Sequence, residues 1–240
     1  MDALDAHRGA LREAARFSQY FEVLLDGDPG DWRPVSGLYS GELTGELIAA
    51  VGERLWDPLP GRMPRAPGEP DRRIAASLMF QGYAAKLWSP LLACVVTGGV
   101  LPRLGPGGLS WRYRTGEPVS LLAAEVSAGE PDAAGLYSAV VADHLVPLAE
   151  AVQATVPVSG KVLWGNAASA LHGAAGMLAR SGHSPAAIVA QVLGTGLLAG
   201  TTTGLPVTAG FRRRSCCLYY RVPNSGGTCG DCVLRTVRSG

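Results

Sequence analysis

Cysteine is the residue whose spacing in this chain invites chemistry. Four of the five, Cys216, Cys217, Cys229 and Cys232, fall within the segment CCLYYRVPNSGGTCGDC, while Cys94 lies far upstream in an apolar run. Four thiolates are the ligand set of a structural zinc or of an iron-sulfur cluster, and a Cys-x2-Cys pair such as Cys229 and Cys232 is the usual spacing for two ligands on one side of such a site. Gly230 and Asp231 between them suit the tight turn that aims both sulfurs inward. The adjacent pair Cys216-Cys217 discriminates further. Neighbouring side chains on an extended strand point to opposite faces, so both can ligate only where the backbone turns. A single tetrahedral zinc seldom uses such a pair, whereas a two-iron cluster is larger and offers two metal atoms. The spacing therefore ranks an iron-sulfur cluster first, zinc second, and disulfides or a redox dithiol last.

Nothing else in the chain competes with this site. The histidines His7, His144, His172 and His183 are scattered without metal-ligand spacing, and His172 reads as a satisfied helix residue. Cys94 reads as a small buried hydrophobe. No Gly-x-Gly-x-x-Gly fingerprint or phosphate-binding Walker loop is present, so no flavin or nicotinamide is implied and electrons have to come from an external donor. With 21 basic against 20 acidic residues, the charge excludes a nucleic-acid binder or a polybasic membrane protein. Lys86 and Lys161 are the only lysines, and Lys86 could reach a ligand oxygen. The N-terminus has acids at Asp2 and Asp5 and no apolar core of signal-peptide type, which predicts a cytoplasmic protein. The longest apolar stretch, Leu87 to Pro102, is shorter than the roughly 20 residues a spanning helix needs. It reads as core, with a peripheral membrane contact left open.

The elements that position these cysteines are mostly helical. Leu11, Ala14, Ala15, Ser18, Phe21 and Leu25 advance by threes and fours, predicting a helix over 10–25 that stops at Asp26. A second helix fits Gly41 to Trp56. The segment from Pro58 to Pro70, with five prolines, predicts an exposed connection. Asp71 is a plausible cap for a long helix from Arg72 to about Thr97, bent near Pro90 and ended by Gly98-Gly99. Alternation in LSWRYRT followed by PVSLLAAEV predicts a hairpin. Helical spacing returns over Asp132 to Thr155, interrupted at Pro147, over Ser159 to Arg180 with Gly182 as its stop, and from Pro185 to about Leu198. The chain thus reads as a helical body, residues 1–205, followed by a cysteine module, residues 206–240.

The ending RRRSCCLYYRVPNSGGTCGDC resembles the C-terminal motif of the FhuF-type ferric siderophore reductases, Cys-Cys-x10-Cys-x2-Cys, in which four cysteines hold a 2Fe-2S cluster. The likeness extends to the preceding arginines, the Tyr-Arg-x-Pro of the loop and Cys-Gly-Asp-Cys. Eleven residues, Leu218 to Thr228, separate the pairs here, one more than in the family pattern, and the extra residue falls beside Gly226-Gly227 where a loop absorbs insertion cheaply. Upstream, LWGNAASAL is similar to the family's Trp-x-Asn stretch.

The resemblance implies an α+β fold, a predominantly helical body around a small antiparallel β-sheet. It also implies a 2Fe-2S cluster on Cys216, Cys217, Cys229 and Cys232, and one-electron reduction of a ferric siderophore, hydroxamate type favoured. No catalytic triad is needed beyond the cluster, because softer ferrous ion is held far less well by hard oxygen ligands. The donor implied is a ferredoxin, flavodoxin or flavin reductase. Substrate contacts are expected from Trp164, Asn166, Arg213, Arg214, Arg221 and Tyr219, with Tyr219 and Tyr220 either packing over the cluster or serving as strand residues. Six arginines, at 212, 213, 214, 221, 235 and 238, against Asp231 alone give the last 30 residues a charge of +5, which favours a reduced cluster and attracts anions or an acidic donor. Two other classes stay in view: a non-enzymatic iron-sulfur or zinc-binding accessory protein, and a siderophore-handling protein with a structural cluster.

Overall fold

The computed structural model describes residues 3–27, 30–57, 68–223, 225 and 227–235. Most of the proline-rich connection lies outside them, as does Arg238. The fold is α+β. Two long helices form its centre: α4 (Arg72–Gly98) and α7 (Gly160–Arg180) pack along each other. Small buried residues recur along both, among them Ala76 and Ala84 on the first and Ala167, Ala168 and Ala175 on the second, while Ala75 faces Gly52.

The ends of both helices follow local chemistry. Asp71 caps α4 by accepting from the Arg73 N–H at 2.9 Å, and Gly99 ends it at φ 62°, a left-handed conformation that favours glycine. Ser159 caps α7 in the same way through Lys161 N–H. Around this pair stand α1 (Ala3–Ala14), α3 (Thr44–Trp56), α6 (Val146–Thr155) and α8 (Ala186–Leu193), with the short α2 (Ser36–Tyr39) and α5 (Ala133–Tyr137) between. Pro147 lies near the start of α6, which continues without a break from the helical residues before it. Residues Ser138–Leu145 upstream of it form a π-helical segment.

The expected hairpin is present: β3 (Leu109–Arg112) pairs antiparallel with β4 (Ser120–Ala123), turning Leu109, Trp111, Leu121 and Ala123 into the core. β1 (Arg33–Pro34) joins β3 to make three strands. Two further antiparallel pairs stand apart, β2 (Leu101–Arg103) with β5 (Ser127–Gly129), and β6 (Thr202–Thr203) with β7 (Arg212–Arg213), so the strands divide among three small sheets rather than one. Among the described residues no helix is long and apolar enough to cross a membrane, and the apolar run in α4 is buried as far as Cys94, where burial pushes the thiol up to about 12.

One element departs from the pattern in the sequence. The first helix ends at Ala14, and residues 15–25 leave it although Phe21 and Leu25 remain buried. Tertiary contacts override the helical spacing there. The Leu24 backbone bonds to Leu121 and Ala123 of the hairpin strand, and the buried Lys86 ammonium donates to the carbonyls of Gln19 and Glu22 at 2.7 Å each. Lys86 therefore anchors this loop. Its burial pushes its pKa down to about 8.

A buried polar chain crosses the core. The Leu104 carbonyl can only accept, so His144 Nε2 donates to it at 2.7 Å, and Nδ1 is left to accept from Tyr39 at 2.6 Å. Tyr83 then donates to Tyr39 at 2.7 Å. Burial holds the His144 pKa down at about 4 against an ordinary 6.5. Between these values the unfolded chain binds a proton that the folded chain refuses. The stability is complete above pH 6.5 and is lost as pH falls toward 4, by about 3 kcal/mol. Chemical denaturation across this window should show a shallower pH dependence in His144→Gln than in the wild type by about that amount; equal slopes would contradict the assignment.

Candidate metal centre

The cysteine segment does not stand away from the body. β6 and β7 pair with Thr202 opposite Arg213, which seats the tail on α7, and Phe211 joins the main core. Val222, with Leu218 and Tyr219, packs on Trp56 at the end of α3 and on Ile74 at the start of α4. Of the three consecutive arginines only the middle one turns inward, as strand alternation requires, and Arg213 is 1% exposed. Its neighbours Arg212 and Arg214 stay at or near the surface.

A buried guanidinium needs partners for its charge and its donors. Arg213 Nη1 donates to Asn166 Oδ1 at 2.7 Å, and Nη2 donates to Cys229 Sγ at 2.5 Å. Nε stands 3.1 Å from Asp231 Oδ2 in an ion pair that is a charge contact rather than an aligned hydrogen bond. The Arg213 N–H also bonds the Asp231 carbonyl at 3.0 Å. Burial opposes the charge on Arg213, but Asp231 and the thiols of Cys217 and Cys229 outweigh it and raise its pKa. Asn166 passes the linkage to α4: Nδ2 donates to both the carbonyl and the hydroxyl of Ser77 at 2.8 Å, and Ser77 Oγ donates to the Cys217 carbonyl at 2.8 Å. Only one orientation of the Asn166 amide satisfies all these bonds.

The backbone turns where the adjacent cysteines require it. Leu218 adopts φ 67°, a left-handed conformation rare for leucine, and its N–H donates to Cys216 Sγ at 3.3 Å. The Leu234 N–H does the same for Cys232 Sγ at 3.4 Å. Tyr219 and Tyr220 follow in a single 3-10 turn, Tyr219–Arg221, so they are not strand residues. Tyr219 OH donates to the Ser225 carbonyl and spans the loop between the pairs.

All four tail cysteines are free thiols. Cys217 and Cys229 sulfurs lie 3.6 Å apart, close to the roughly 3.8 Å that separates two sulfurs sharing one tetrahedral metal at about 2.3 Å. These two thiols are coupled: the hydrogen bond from Cys229 and the charge of Arg213 push Cys217 down, and the same bond together with burial pushes Cys229 up. Among the described residues no three His, Cys, Asp or Glu side chains are arranged around a single metal ion. A dinuclear cluster does not require that, because each iron takes two protein ligands. The donor set fits such a cluster: Cys217 and Cys229 could hold one iron, and Cys216 and Cys232 the other.

Beside these sulfurs an open cavity of about 730 Å³ lies between α4 and α7. Cys217, Cys229 and Tyr219 form one end of it, and Tyr20 and Phe21, on the loop held by Lys86, form another part of the wall. Gly82 on α4 and Gly173 on α7 both face it, and a Cβ at either would meet nothing. His172 lies flat on Phe211, ring centroids 3.8 Å apart, and accepts the Val207 N–H on Nδ1, which leaves its Nε2–H as a donor.

The residues expected to touch substrate are thus distributed unevenly. Tyr219 lines the main cavity. Asn166 and Arg213 lie buried behind the sulfurs, and Arg221 is exposed. Trp164 packs edge-on against Phe80 and, with Arg214, lines a smaller cavity of about 440 Å³. Sequence reasoning missed Ser77 and the role of Asp231, which it took for a turn residue. It also missed Gly165, where a Cβ would collide with Ser215 Oγ, and His172 as part of the cavity wall. The glycine between Trp164 and Asn166 was the available signal, since a mid-helix glycine often marks close backbone approach.

A family model described as the FhuF 2Fe-2S C-terminal domain matches residues 213–234, the stretch that begins at the buried arginine and contains all four tail cysteines. No curated protein matches the chain. Four free thiols, two of them at metal-sharing distance, stand in the matched segment, so residues 213–234 are similar to the FhuF-type 2Fe-2S domain and carry the donor set of a 2Fe-2S cluster.

Proposed function

We propose that this protein is a ferric siderophore reductase of the cytoplasm, with residues 1–205 as the body that receives the iron complex and residues 206–240 as the electron-transfer module. The observation that carries this reading is the cavity of about 730 Å³ that ends on Cys217 and Cys229. Its size falls within the range of about 300–1,000 Å³ typical of small-molecule sites. A complex lodged there would stand against the sulfurs, with no protein layer between.

Cys216, Cys217, Cys229 and Cys232 would hold the cluster, which would supply one electron to a bound ferric ion and regain it from a ferredoxin, flavodoxin or flavin reductase. The chain's residues do the rest. Gly82 and Gly173 keep the volume open between the helices, Tyr219 closes the cluster end, and Tyr20 and Phe21 present aromatic walls. A largely apolar lining, with His172, Arg212, Gln81 and Thr208 among its polar donors, favours a hydroxamate complex. Three singly charged hydroxamates neutralise ferric ion, while catecholates leave the complex strongly anionic and costly to bury. Release follows from coordination preference, because ferrous ion binds hard oxygen ligands far less well.

Two sets of variants test this. Replacing any one of the four tail cysteines by serine should abolish the cluster, measured as iron, acid-labile sulfide and visible absorption, whereas Cys94→Ser should retain it; a cluster surviving in any of the four would overturn the ligand assignment. Gly173→Met, whose Cβ meets nothing and whose side chain would occupy the cavity, should keep the cluster spectrum and lower kcat/KM for a ferric hydroxamate by at least about tenfold, a loss of roughly 1.4 kcal/mol. Unchanged turnover in that variant would move the substrate elsewhere.

A further inference from the structure

The charge around the four sulfurs is asymmetric. Cys216 and Cys232 receive neutral backbone N–H donors, from Leu218 and Leu234. The Nη2 of Arg213 is a charged side-chain donor to Cys229 and also bears on Cys217, and these are the two sulfurs that face the cavity. Hydrogen bonds from a cationic donor are roughly twice as strong as neutral ones. Reduction adds a negative charge to the cluster, so such a donor favours the reduced state. Arg212, Arg214, Arg221 and Arg235 are more exposed, and solvent and salt screen them. Arg213 is fully enclosed, and Asn166 and Asp231 hold its fork in place.

We propose that Arg213 is the residue that sets the reduction potential of the cluster, through its hydrogen bond to Cys229, and that Asp231 acts against it as the buried counter-charge. Arg213 is a positioning residue and touches no substrate. Asn166 and Ser77 fix it to α7 and α4, so the body of the protein acts on the potential through that guanidinium. The inference rests on the bound cluster and not on the reductase reading.

Neutralising the two members of the ion pair should move the potential in opposite directions, which loss of packing alone would not do. The test is a redox titration of the visible band of the purified holoprotein, without siderophore, in the wild type, Arg213→Gln, Arg213→Lys, Asp231→Asn and, as a surface control, Arg214→Gln. Arg213→Gln should shift the equilibrium at least tenfold toward the oxidised cluster, which for one electron is about 59 mV. Asp231→Asn should shift it toward the reduced cluster. Arg213→Lys keeps the charge and should recover most of the first shift, and Arg214→Gln should stay within threefold of the wild type. Equal potentials in Arg213→Gln and the wild type, shifts of the same sign in the two neutralised variants, no recovery in Arg213→Lys, or an Arg214→Gln shift as large as that of Arg213→Gln would overturn the proposal. Should Arg213→Gln lose its cluster, Asp231→Asn decides alone: a higher potential supports the assignment, and an unchanged or lower one overturns it. Because siderophore is absent throughout, failure here is separate from failure of the reductase reading.

Discussion

A guanidinium buried at the junction of body and tail organises this protein. Arg213 is 1% exposed, and a charge in that position is tolerated only while every partner is present. Its partners come from separate parts of the chain: Asn166 from α7, Cys229 and Asp231 from the second cysteine pair, and, through Asn166, Ser77 from α4. The arrangement therefore fixes where the cysteines sit relative to the helices. Gly165 permits it by letting the 215 segment press against α7 where any side chain would collide.

The same two helices that anchor the tail shape the cavity beside it. Buried alanines recur along both, and the glycines at 82 and 173 leave room between them. The loop over residues 15–25 completes the wall because Lys86 gives its ammonium to two of that loop's carbonyls. Siderophore site and electron source, in the reading offered above, are adjacent because one pair of helices builds both.

Much of this was legible in the sequence, and the rest was hidden for physical reasons. Helix caps at Asp71 and Ser159, the stops at Gly99 and Gly182, and the hairpin of Leu109 and Trp111 rest on local chemistry, so local reasoning found them. The first helix was misjudged because its apolar spacing continues past Ala14, while a lysine more than sixty residues away and a strand far downstream take over the backbone bonds. At the site, four cysteines announced themselves by type and spacing. Arg213 was one of six tail arginines and was expected, with Arg214 and Arg221, to touch substrate, since nothing local tells which arginine of three faces inward. Ser77 and His172 carry no motif at all; only the packing of α4 on α7 and of Phe211 on His172 gives them roles.

The central claim is that a cluster on the tail cysteines delivers an electron to an iron complex in the cavity. The most direct measurement is a single turnover: the holoprotein is reduced anaerobically with a stoichiometric amount of dithionite, mixed with a ferric hydroxamate siderophore, and followed by the visible band while a ferrous chelator traps the product. The account predicts reoxidation of the cluster with one ferrous ion released per reduced cluster. A cluster that stays reduced in the presence of excess ferric siderophore would contradict it.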